Sequence, residues 1–310
     1  MNTPTVSIVI PAYNHADFLK QAIESVLGQN YPQIELIVLD DGSTDSTREI
    51  LAEYSGKFFW ETQQNMGQAR TLNKGWAMSK GAYLSYLAAD DYLHPGAVKA
   101  AVEKLVANPQ VVLTYCDFNM VNSHSQILRR KRTPDFSYTD LAVRLICQPG
   151  PGVFFCRDAF ERAGFWDESL RRIPDFEYWL RLGLEGPFER IPKALASYRM
   201  HDQSQSFGPI AVDRAEEMVN VISTHFQNVR LPPEIAHAKP EAMSNAHLVS
   251  ARMHLNSGRY LIALKHALYA FNNYPYIYFR PRTWRIFASG LFDRIGYNSV
   301  GWFRRIFAGK

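Results

Sequence analysis

Apolar runs and helix-like segments alternate along the first third of the chain. Runs rich in β-branched and aromatic residues predict buried strands at Val6–Ile10, Ile34–Leu39, Lys57–Thr62, Tyr83–Leu87 and Val111–Tyr115. Apolar residues spaced three and four positions apart predict helices between them, at residues 15–29, 46–54, 69–79 and 97–107. Because the strands are apolar throughout and alternate with helices, the pattern predicts an α/β fold whose central sheet is mainly parallel and covered by helices on both faces.

The pattern changes in the second half of the chain. A further strand, a helix and an extended segment are predicted at residues 150–156, 175–183 and 195–201. From about residue 210 the apolar spacing is helical to the end, and residues 246–273 predict a helical hairpin. We therefore predict an α/β domain over residues 1–208 and a helical C-terminal extension over residues 209–310.

Polar clusters follow three of the predicted strands, at Tyr13-Asn14, Asp40-Asp41 and Asp90-Asp91. In open α/β sheets, ligands bind outside the carboxyl ends of the strands. Adjacent carboxylates repel each other unless a cation neutralises them, and hard cations such as Mg²⁺ and Mn²⁺ prefer carboxylate oxygens. The alternative is structural: a solvated turn at the second carboxylate pair, and a turn with a helix cap after the first.

The order and spacing of these motifs resemble the family 2 glycosyltransferases. The fragments that carry the resemblance are VSIVIPAYN at 6–14, QNY at 29–31, IELIVLDDGSTD at 34–45, Asn65-x-Gly67, GAY at 81–83, Ala89-Asp90-Asp91, Gly164-Phe165-x-Asp167-Glu168, DFEYWLRL at 175–182 and Tyr198-Arg199-x-His201. Together they cover roughly residues 5–205. The resemblance implies a GT-A fold, which is Rossmann-like, and inverting transfer of a sugar from a nucleoside diphosphate sugar, a UDP-sugar being favoured.

The resemblance also implies a donor site and a metal site. The implied donor-binding residues are Pro11, Ala12, Tyr13, Asp41, Arg70, Asp90 and His201. In this set Asp41 accepts a hydrogen bond from the nucleotide base, and Arg70 faces the base or the diphosphate. Asp91 is the expected main carboxylate ligand of Mn²⁺ or Mg²⁺, with Asp90 and His201 beside it. Ala89 stands at the first position of the DXD element, where the motif's name places a carboxylate.

Asp175 is the expected catalytic base, again by resemblance. An acceptor hydroxyl is a poor nucleophile until a base removes its proton. The alternative for Asp175 is a helix cap, because it stands where a helix begins. Trp179 and Arg181 are candidates for shaping the acceptor side, Trp179 being equally suited to the core, and Glu177 is expected to point elsewhere.

The charge of the chain is uneven. Residues 251–310 hold ten basic side chains and one acidic side chain, which leaves 24 basic and 29 acidic for residues 1–250. Residues 283–295 and 300–307 place aromatic and aliphatic side chains on one helical stripe beside arginines. This basic amphipathic tail predicts peripheral contact with an anionic membrane, with docking on the catalytic domain as the alternative. No nucleic-acid partner is expected, because the catalytic part is acidic.

Cysteines and apolar runs bear on the compartment. The three cysteines are too few and too scattered for a disulfide framework. No apolar run reaches the roughly 18 residues of a membrane span, and the first residues do not resemble a secretion signal. We expect a cytoplasmic protein, at the inner face of the cytoplasmic membrane if the tail binds lipid.

Two other functions compete with sugar transfer. A nucleotidyltransferase is expected to carry a glycine-rich basic loop after its first strand, and residues 11–14 do not form one. A non-catalytic, glycosyltransferase-like scaffold has no need of the four carboxylates at Asp41, Asp90, Asp91 and Asp175. The acceptor stays open between polysaccharide, lipid-linked oligosaccharide and protein, and the resemblance favours a cell-envelope or exopolysaccharide glycan.

Overall fold

The computed structural model describes residues 3–201 and 210–289. The chain forms two compact units. The first comprises residues 1–137 and 147–202, and the second comprises residues 138–146 and 203–310. The short insertion at 138–146, which groups with the second unit, was not anticipated, and the prediction of separate domains at 1–208 and 209–310 stays a prediction.

The first unit holds all nine strands of the described residues. They are β1 (Val6–Ala12), β2 (Ile34–Asp40), β3 (Phe59–Thr62), β4 (Tyr83–Tyr86), β5 (Tyr92–Leu93), β6 (Leu113–Val121), β7 (Ile127–Lys131), β8 (Phe154–Cys156) and β9 (Phe188–Arg199). Its helices are α1 (Ala16–Leu27), α2 (Thr47–Ala52), α3 (Gln68–Met78), α4 (Ala97–Ala107), α6 (Arg157–Ala163) and α7 (Pro174–Leu182). The predicted strands and helices of the first 107 residues are therefore confirmed within a few residues at their ends, whereas the strand predicted at Val111–Tyr115 extends to Val121 and the short strand β5 was not predicted.

The sheet is mixed, with the order β3-β2-β1-β4-β8-β6-β9-β5 and β7 paired with β6. The strands β3, β2, β1 and β4 are mutually parallel, and so are β6 and β9. The strand β8 lies antiparallel between β4 and β6, and β5 and β7 are also antiparallel to their neighbours. The expected parallel pairing is thus found for β3, β2, β1 and β4 and for β6 with β9, while the antiparallel pairing of β5, β7 and β8 was not predicted from the sequence. The polar segment after β6 makes a short hairpin into β7, which needs no crossover helix.

Both faces of β1 are covered, which explains its continuous apolar run. Ile8 and Ile10 point into a cluster with apolar residues of α1, α2 and α4. On the opposite face, α3 lies so close to β1 that a Cβ on Gly75 would stand 2.4 Å from Val9 Cγ1. Successive side chains of a strand point to opposite faces, so both rows of the strand must be apolar when both faces are buried.

The second unit is helical. Its elements are α5 (Tyr138–Ala142), α8 (Val212–His225), α9 (Pro233–His237), α10 (Lys239–Asn256), α11 (Tyr260–Asn273) and a 3₁₀ helix (Pro275–Phe279). The predicted helical hairpin is confirmed as α10 and α11, with Gly258 at a φ of 75° in the turn between them. Residues 281–289 are also helical. The rest of the predicted amphipathic tail, residues 290–310, lies outside the described residues.

No helix in the described parts of the chain is long and apolar enough to cross a membrane.

Candidate active site

The loops that follow β1 and β2 are tied together by hydrogen bonds. The Asn14 amide N–H donates to Ser43 Oγ at 2.9 Å, and Asn14 Oδ1 accepts from the Thr44 amide at 2.8 Å. Asn14 has a φ of 53°, a left-handed conformation that Asn tolerates better than most residues. The two strand ends therefore form one rigid edge, as the parallel pairing of β1 with β2 requires.

Asp40, the first member of the first carboxylate pair, is structural. It is fully buried. Its Oδ1 accepts from the Ser43 amide at 2.9 Å, and its Oδ2 accepts from Arg48 Nε at 3.2 Å. These contacts fold the turn after β2 and direct the chain into α2, which is the structural interpretation of this pair.

Asp41, the second member, holds a different loop. Its carboxylate accepts from Gln63 Nε2 at 2.9 Å, and from the amides of Met66 and Gly67 at 2.9 and 2.8 Å. It thereby closes the loop between β3 and α3 over the end of β2. Since a carboxylate has about four acceptor sites, these three bonds leave little capacity for a nucleotide base. The predicted contact of Asp41 with a base stays a prediction.

The other expected donor-binding residues of this edge differ in exposure. Pro11 and Ala12 are buried in the last part of β1, whereas Tyr13 is 46% exposed. Arg70 lies in the first turn of α3, and its Nε donates to Glu168 Oε2 at 2.8 Å. Both side chains of this ion pair are about half exposed, so Arg70 can exchange Glu168 for another anion at little cost.

A cluster of metal-ligating side chains lies after β4. His201 Nε2 and Asp90 Oδ2 are 3.0 Å apart. His15, just before α1, joins them, and one ligand atom from each of the three residues lies within 4.8 Å of the others. The Nδ1 atom of His15 is buried and has no hydrogen-bond partner. Burial lowers the pKa of His15 against the opposing charge of Asp90, which keeps the imidazole neutral. His15 was not predicted as a site residue, and its only sequence signal is its position two residues after Tyr13.

Asp91 does not belong to this cluster. It is 5% exposed, and its Oδ1 accepts from the Arg199 amide at 2.8 Å. Burial, and next the charge of Asp90, raise the pKa of Asp91 well above the usual carboxyl range, although Arg199 opposes the shift. The structure therefore places Asp90, and not the expected Asp91, beside His201. The role of Asp91 as main metal ligand stays a prediction that this placement does not favour.

Arg199 binds the backbone around Asp90 through its side chain. Its guanidinium is fully buried, and its Nε donates to the Asp90 carbonyl at 2.8 Å. The other guanidinium nitrogens donate to Asn122 O, Ser123 O, Ser125 Oγ and Gln21 Oε1. The sequence motif contained Arg199, but nothing in the sequence assigned it this structural role.

Asp175 lies in the first turn of α7. Its Oδ1 accepts from the Phe176 amide at 2.8 Å, but the cap position of α7 is Ile173 and the helix has no side-chain cap hydrogen bond, so Asp175 is not the helix cap. Burial raises the pKa of Asp175 above the ordinary carboxyl range. Burial also raises the pKa of Tyr86, at the end of β4, and the charges of Asp175 and Asp91 both add to that increase. Asp175 and Asp91 are therefore both near enough to Tyr86, at the end of β4, for their charges to act on its hydroxyl group.

Two residues considered for the acceptor side serve the core instead. Trp179 is 1% exposed and packs in an aromatic cluster that includes Trp166 and Tyr178. Arg181 pairs with Glu177 at 2.6 Å and donates to the Phe165 carbonyl at 2.8 Å. Arg181 thus braces α7 against the segment after α6, and Glu177 is engaged there, away from the Asp175 carboxylate.

Comparisons with known sequences agree with the motifs. The family model for glycosyl transferase family 2 matches residues 7–167. An uncharacterised glycosyltransferase of Rickettsia typhi is 30% identical over 208 residues, which cover 64% of this chain and 65% of that protein. The hyaluronan synthase of Pasteurella multocida is 26% identical over 222 residues, which cover 70% of this chain and 23% of the synthase. The matches span less than two thirds of the length of these relatives.

Comparisons with solved structures concern the fold. The 1–349 segment of S. aureus TarS, in complex with UDP-GlcNAc, aligns with a TM-score of 0.64 at 15% identity and covers 92% of this chain and 91% of that one. A mannosyltransferase from Pyrobaculum calidifontis, in complex with GDP-Man and Mn²⁺, aligns with a TM-score of 0.58 at 19% identity and covers 100% and 89%. The predicted GT-A fold with C-terminal helices is confirmed.

Proposed function

Because the chain belongs to glycosyl transferase family 2, we propose that it transfers a sugar from a nucleoside diphosphate sugar to an acceptor hydroxyl, with inversion at the anomeric carbon. The observation that carries this proposal is the cluster of His15, Asp90 and His201 at the carboxyl edge of the parallel strands. The chain has this cluster where α/β proteins bind their ligands. The electrostatic effect of Asp175 on Tyr86, at the end of β4, supports a place for Asp175 near this edge, where a base that acts on the acceptor is needed.

The cluster fits a divalent cation. His15 contributes a buried ring nitrogen without a hydrogen-bond partner, and its lowered pKa favours the neutral form that binds metal. Two imidazoles beside one carboxylate suit Mn²⁺ better than Mg²⁺, which prefers oxygen ligands. When bound, the ion neutralises charge that grows on the leaving diphosphate. The complex of the mannosyltransferase with Mn²⁺ supports this choice.

Asp175 is the proposed base. Its carboxylate takes the proton of the acceptor hydroxyl while the oxygen attacks the anomeric carbon, and the bond to the diphosphate breaks on the opposite side. A raised pKa makes a carboxylate a stronger base, which favours this transfer near neutral pH. The hydrogen bond from the Phe176 amide to Oδ1 orients the carboxylate and leaves Oδ2 for the acceptor.

The donor and acceptor are proposed from the relatives. UDP-GlcNAc bound to TarS supports a UDP-sugar, whereas GDP-Man bound to the mannosyltransferase keeps a second nucleotide in the test panel. Similarity to hyaluronan synthase and to the chondroitin synthase of Escherichia coli supports a glycan acceptor in polysaccharide synthesis. A lipid-linked acceptor and membrane contact through the tail stay predictions, as does a cytoplasmic location.

The variant Asp175→Asn tests the base. We expect nucleoside diphosphate release and sugar transfer to fall by about 10²–10⁴-fold, because an amide cannot take up the proton of the attacking hydroxyl group. Donor affinity, measured by calorimetry, should stay within about twofold since the charge at the donor site is unchanged. Glu177→Gln on the same helix is the control and should retain turnover. Near-normal turnover by Asp175→Asn would remove Asp175 from the mechanism.

The variants His15→Ala and His201→Ala test the metal site. Manganese binding to the protein without donor, measured by electron paramagnetic resonance, should weaken by about tenfold or more in each. His124→Ala, which removes an exposed histidine outside the cluster, should bind like wild type. If His15→Ala also binds like wild type, the metal ligands are Asp90 and His201 without His15.

A further inference from the structure

The helix α11 packs in the opposite sense to an ordinary amphipathic helix. Its buried residues are small, Ala263 and Ala270, and they lie on one side of the helix. Five large apolar residues stand on another side and are exposed, Tyr260, Leu261, Leu264, Leu268 and Phe271, whereas Ile262 and Tyr269 lie outside this stripe. At 100° per residue, these five side chains fall within a stripe about 100° wide. The alanine side of α11 packs against the rest of the second unit, and the exposed leucine side is available as a second contact surface.

The exposed stripe continues beyond α11. The ring of Tyr278 lies 5.7 Å from that of Phe271 and 6.3 Å from that of Trp284, so the rings join α11 to the helix at residues 281–289. Tyr276, Phe279 and Trp284 are 68%, 84% and 60% exposed. We call the stripe of α11 together with these three residues the α11 face. Contiguous apolar patches of this kind on a folded chain mark a binding surface.

The charged side chains that the sequence supplies to the α11 face are basic, and Glu216, which contacts His266 of α11, comes from α8. Between residues 242 and 289 the sequence has six basic side chains and no acidic one. Lys265 on α11 and Arg285 beside Trp284 are exposed. Arg280 is paired with Glu241, and Arg282 donates to the carbonyls of Arg144 and Leu145. The face therefore combines leucine and aromatic side chains with exposed cations that have no neighbouring carboxylate in sequence.

We propose that the α11 face binds the surface of an anionic lipid bilayer. Leucine and phenylalanine side chains enter the acyl boundary, tyrosine and tryptophan rings suit the interface, and cations meet anionic headgroups. A symmetric contact with a second copy suits the face less well, because it would bring the exposed cations Lys265 and Arg285 of both copies together, and residues 242–289 supply no carboxylate to pair with them. The inference uses described residues of the second unit and does not depend on the proposed sugar transfer.

The test is sedimentation of the full chain with vesicles. We compare phosphatidylcholine vesicles with vesicles that also contain about 30 mol% phosphatidylserine. The wild type should bind the anionic vesicles, and Leu264→Glu/Leu268→Glu should lower its partition coefficient by about tenfold or more. Val106→Glu/Leu128→Glu is the matched control, since these residues of the first unit are 54% and 57% exposed against 55% and 52% for the leucines.

Two further measurements keep the result unambiguous. Leu264→Gln/Leu268→Gln removes the apolar contact without adding charge, and it should also lose most of the binding. Unchanged circular dichroism shows that each variant is folded. The proposal is overturned if the α11 variants bind like wild type or if the wild type does not bind anionic vesicles. It is also overturned if light scattering shows a wild-type dimer that Leu264→Glu/Leu268→Glu converts to a monomer without vesicle binding.

Discussion

Each carboxylate pair in this protein divides into two residues with different partners. Asp40 folds the turn after β2, while Asp41 closes the loop before α3. In the second pair, Asp91 accepts the Arg199 amide, which leaves Asp90 to face His15 and His201. A buried carboxylate needs hydrogen-bond donors, so the member that faces the backbone is used for structure.

The pH dependence of turnover is expected to reflect Asp175. Its pKa is raised above the ordinary carboxyl range because the side chain is buried, and a base works only when deprotonated. The rate constant kcat should therefore fall as the pH decreases through this raised pKa, and the acid limb should lie above the value of about 4 for a free carboxyl. Steady-state rates with saturating donor measure this. If the acid limb of the kcat profile has the pKa of an ordinary carboxyl group, the catalytic base does not have a raised pKa.

Arg199→Lys should destabilise the first unit. The lysine ammonium cannot make the several hydrogen bonds of the planar guanidinium of Arg199. The backbone carbonyls that accept from Arg199 would therefore lose a donor, and Asp91 would lose the favourable charge of the guanidinium. We expect a loss of about 3 kcal/mol in the free energy of unfolding, measured by urea denaturation. Arg129→Lys on the exposed strand β7 is the control and should change it by about 0.5 kcal/mol or less. Equal stability of the two variants would contradict the proposed role of Arg199.

At the scale of elements, the close packing of α3 on β1 requires a residue without a side chain at position 75. Alanine at an exposed helix position is about 1 kcal/mol better than glycine. At Gly75 the added Cβ would overlap Val9, so Gly75→Ala should instead destabilise the protein by about 1–3 kcal/mol. The double variant Val9→Ala/Gly75→Ala should recover part of that loss beyond additivity. If the two single substitutions change the free energy of unfolding additively in the double variant, the packing of α3 does not depend on contact with Val9.

The packing of α10 and α11 shows how two helices of one hairpin can use apolar residues for different purposes. The buried residues of α10 include Leu248 and several alanines beside Ser244, Asn245, Ser250 and His254, and none of its large apolar residues is among the exposed ones. The helix α11 contributes alanines to the core of the second unit and turns its leucines outward. Helical spacing predicts both helices equally well, but it does not say which of several apolar stripes is buried.

At the scale of the whole molecule, ligand binding should stabilise the fold by mass action. With Mn²⁺ already bound, the correct nucleoside diphosphate at about 100 times its dissociation constant should add about 2.7 kcal/mol to the free energy of unfolding. A thermal shift with a panel of nucleotides, with and without Mn²⁺, measures this and identifies the base. His201→Ala should lose the metal-dependent part of the shift. No shift with any nucleotide would favour the non-catalytic alternative.

The sequence by itself determined the local elements and the family. The apolar runs of β1 to β4 and the helices between them follow from side-chain periodicity, which is a local property. The ordered motifs identified family 2 and the GT-A fold. They also singled out Asp90 and His201, which the structure brings together, and Asp175, whose charge acts on Tyr86 at the end of β4. The hairpin of α10 and α11 was predictable for the same local reason.

Only the tertiary structure decided which side chains meet. The antiparallel place of β8 between β4 and β6 depends on pairing between distant segments. Asp90 and His201 are 111 positions apart, and periodicity does not show that His15 joins them or that Asp91 turns to a backbone amide. Only the structure shows that Trp179 is buried and that the leucines of α11 are exposed. Burial and contact are properties of the packed chain, because they depend on segments that are remote in sequence.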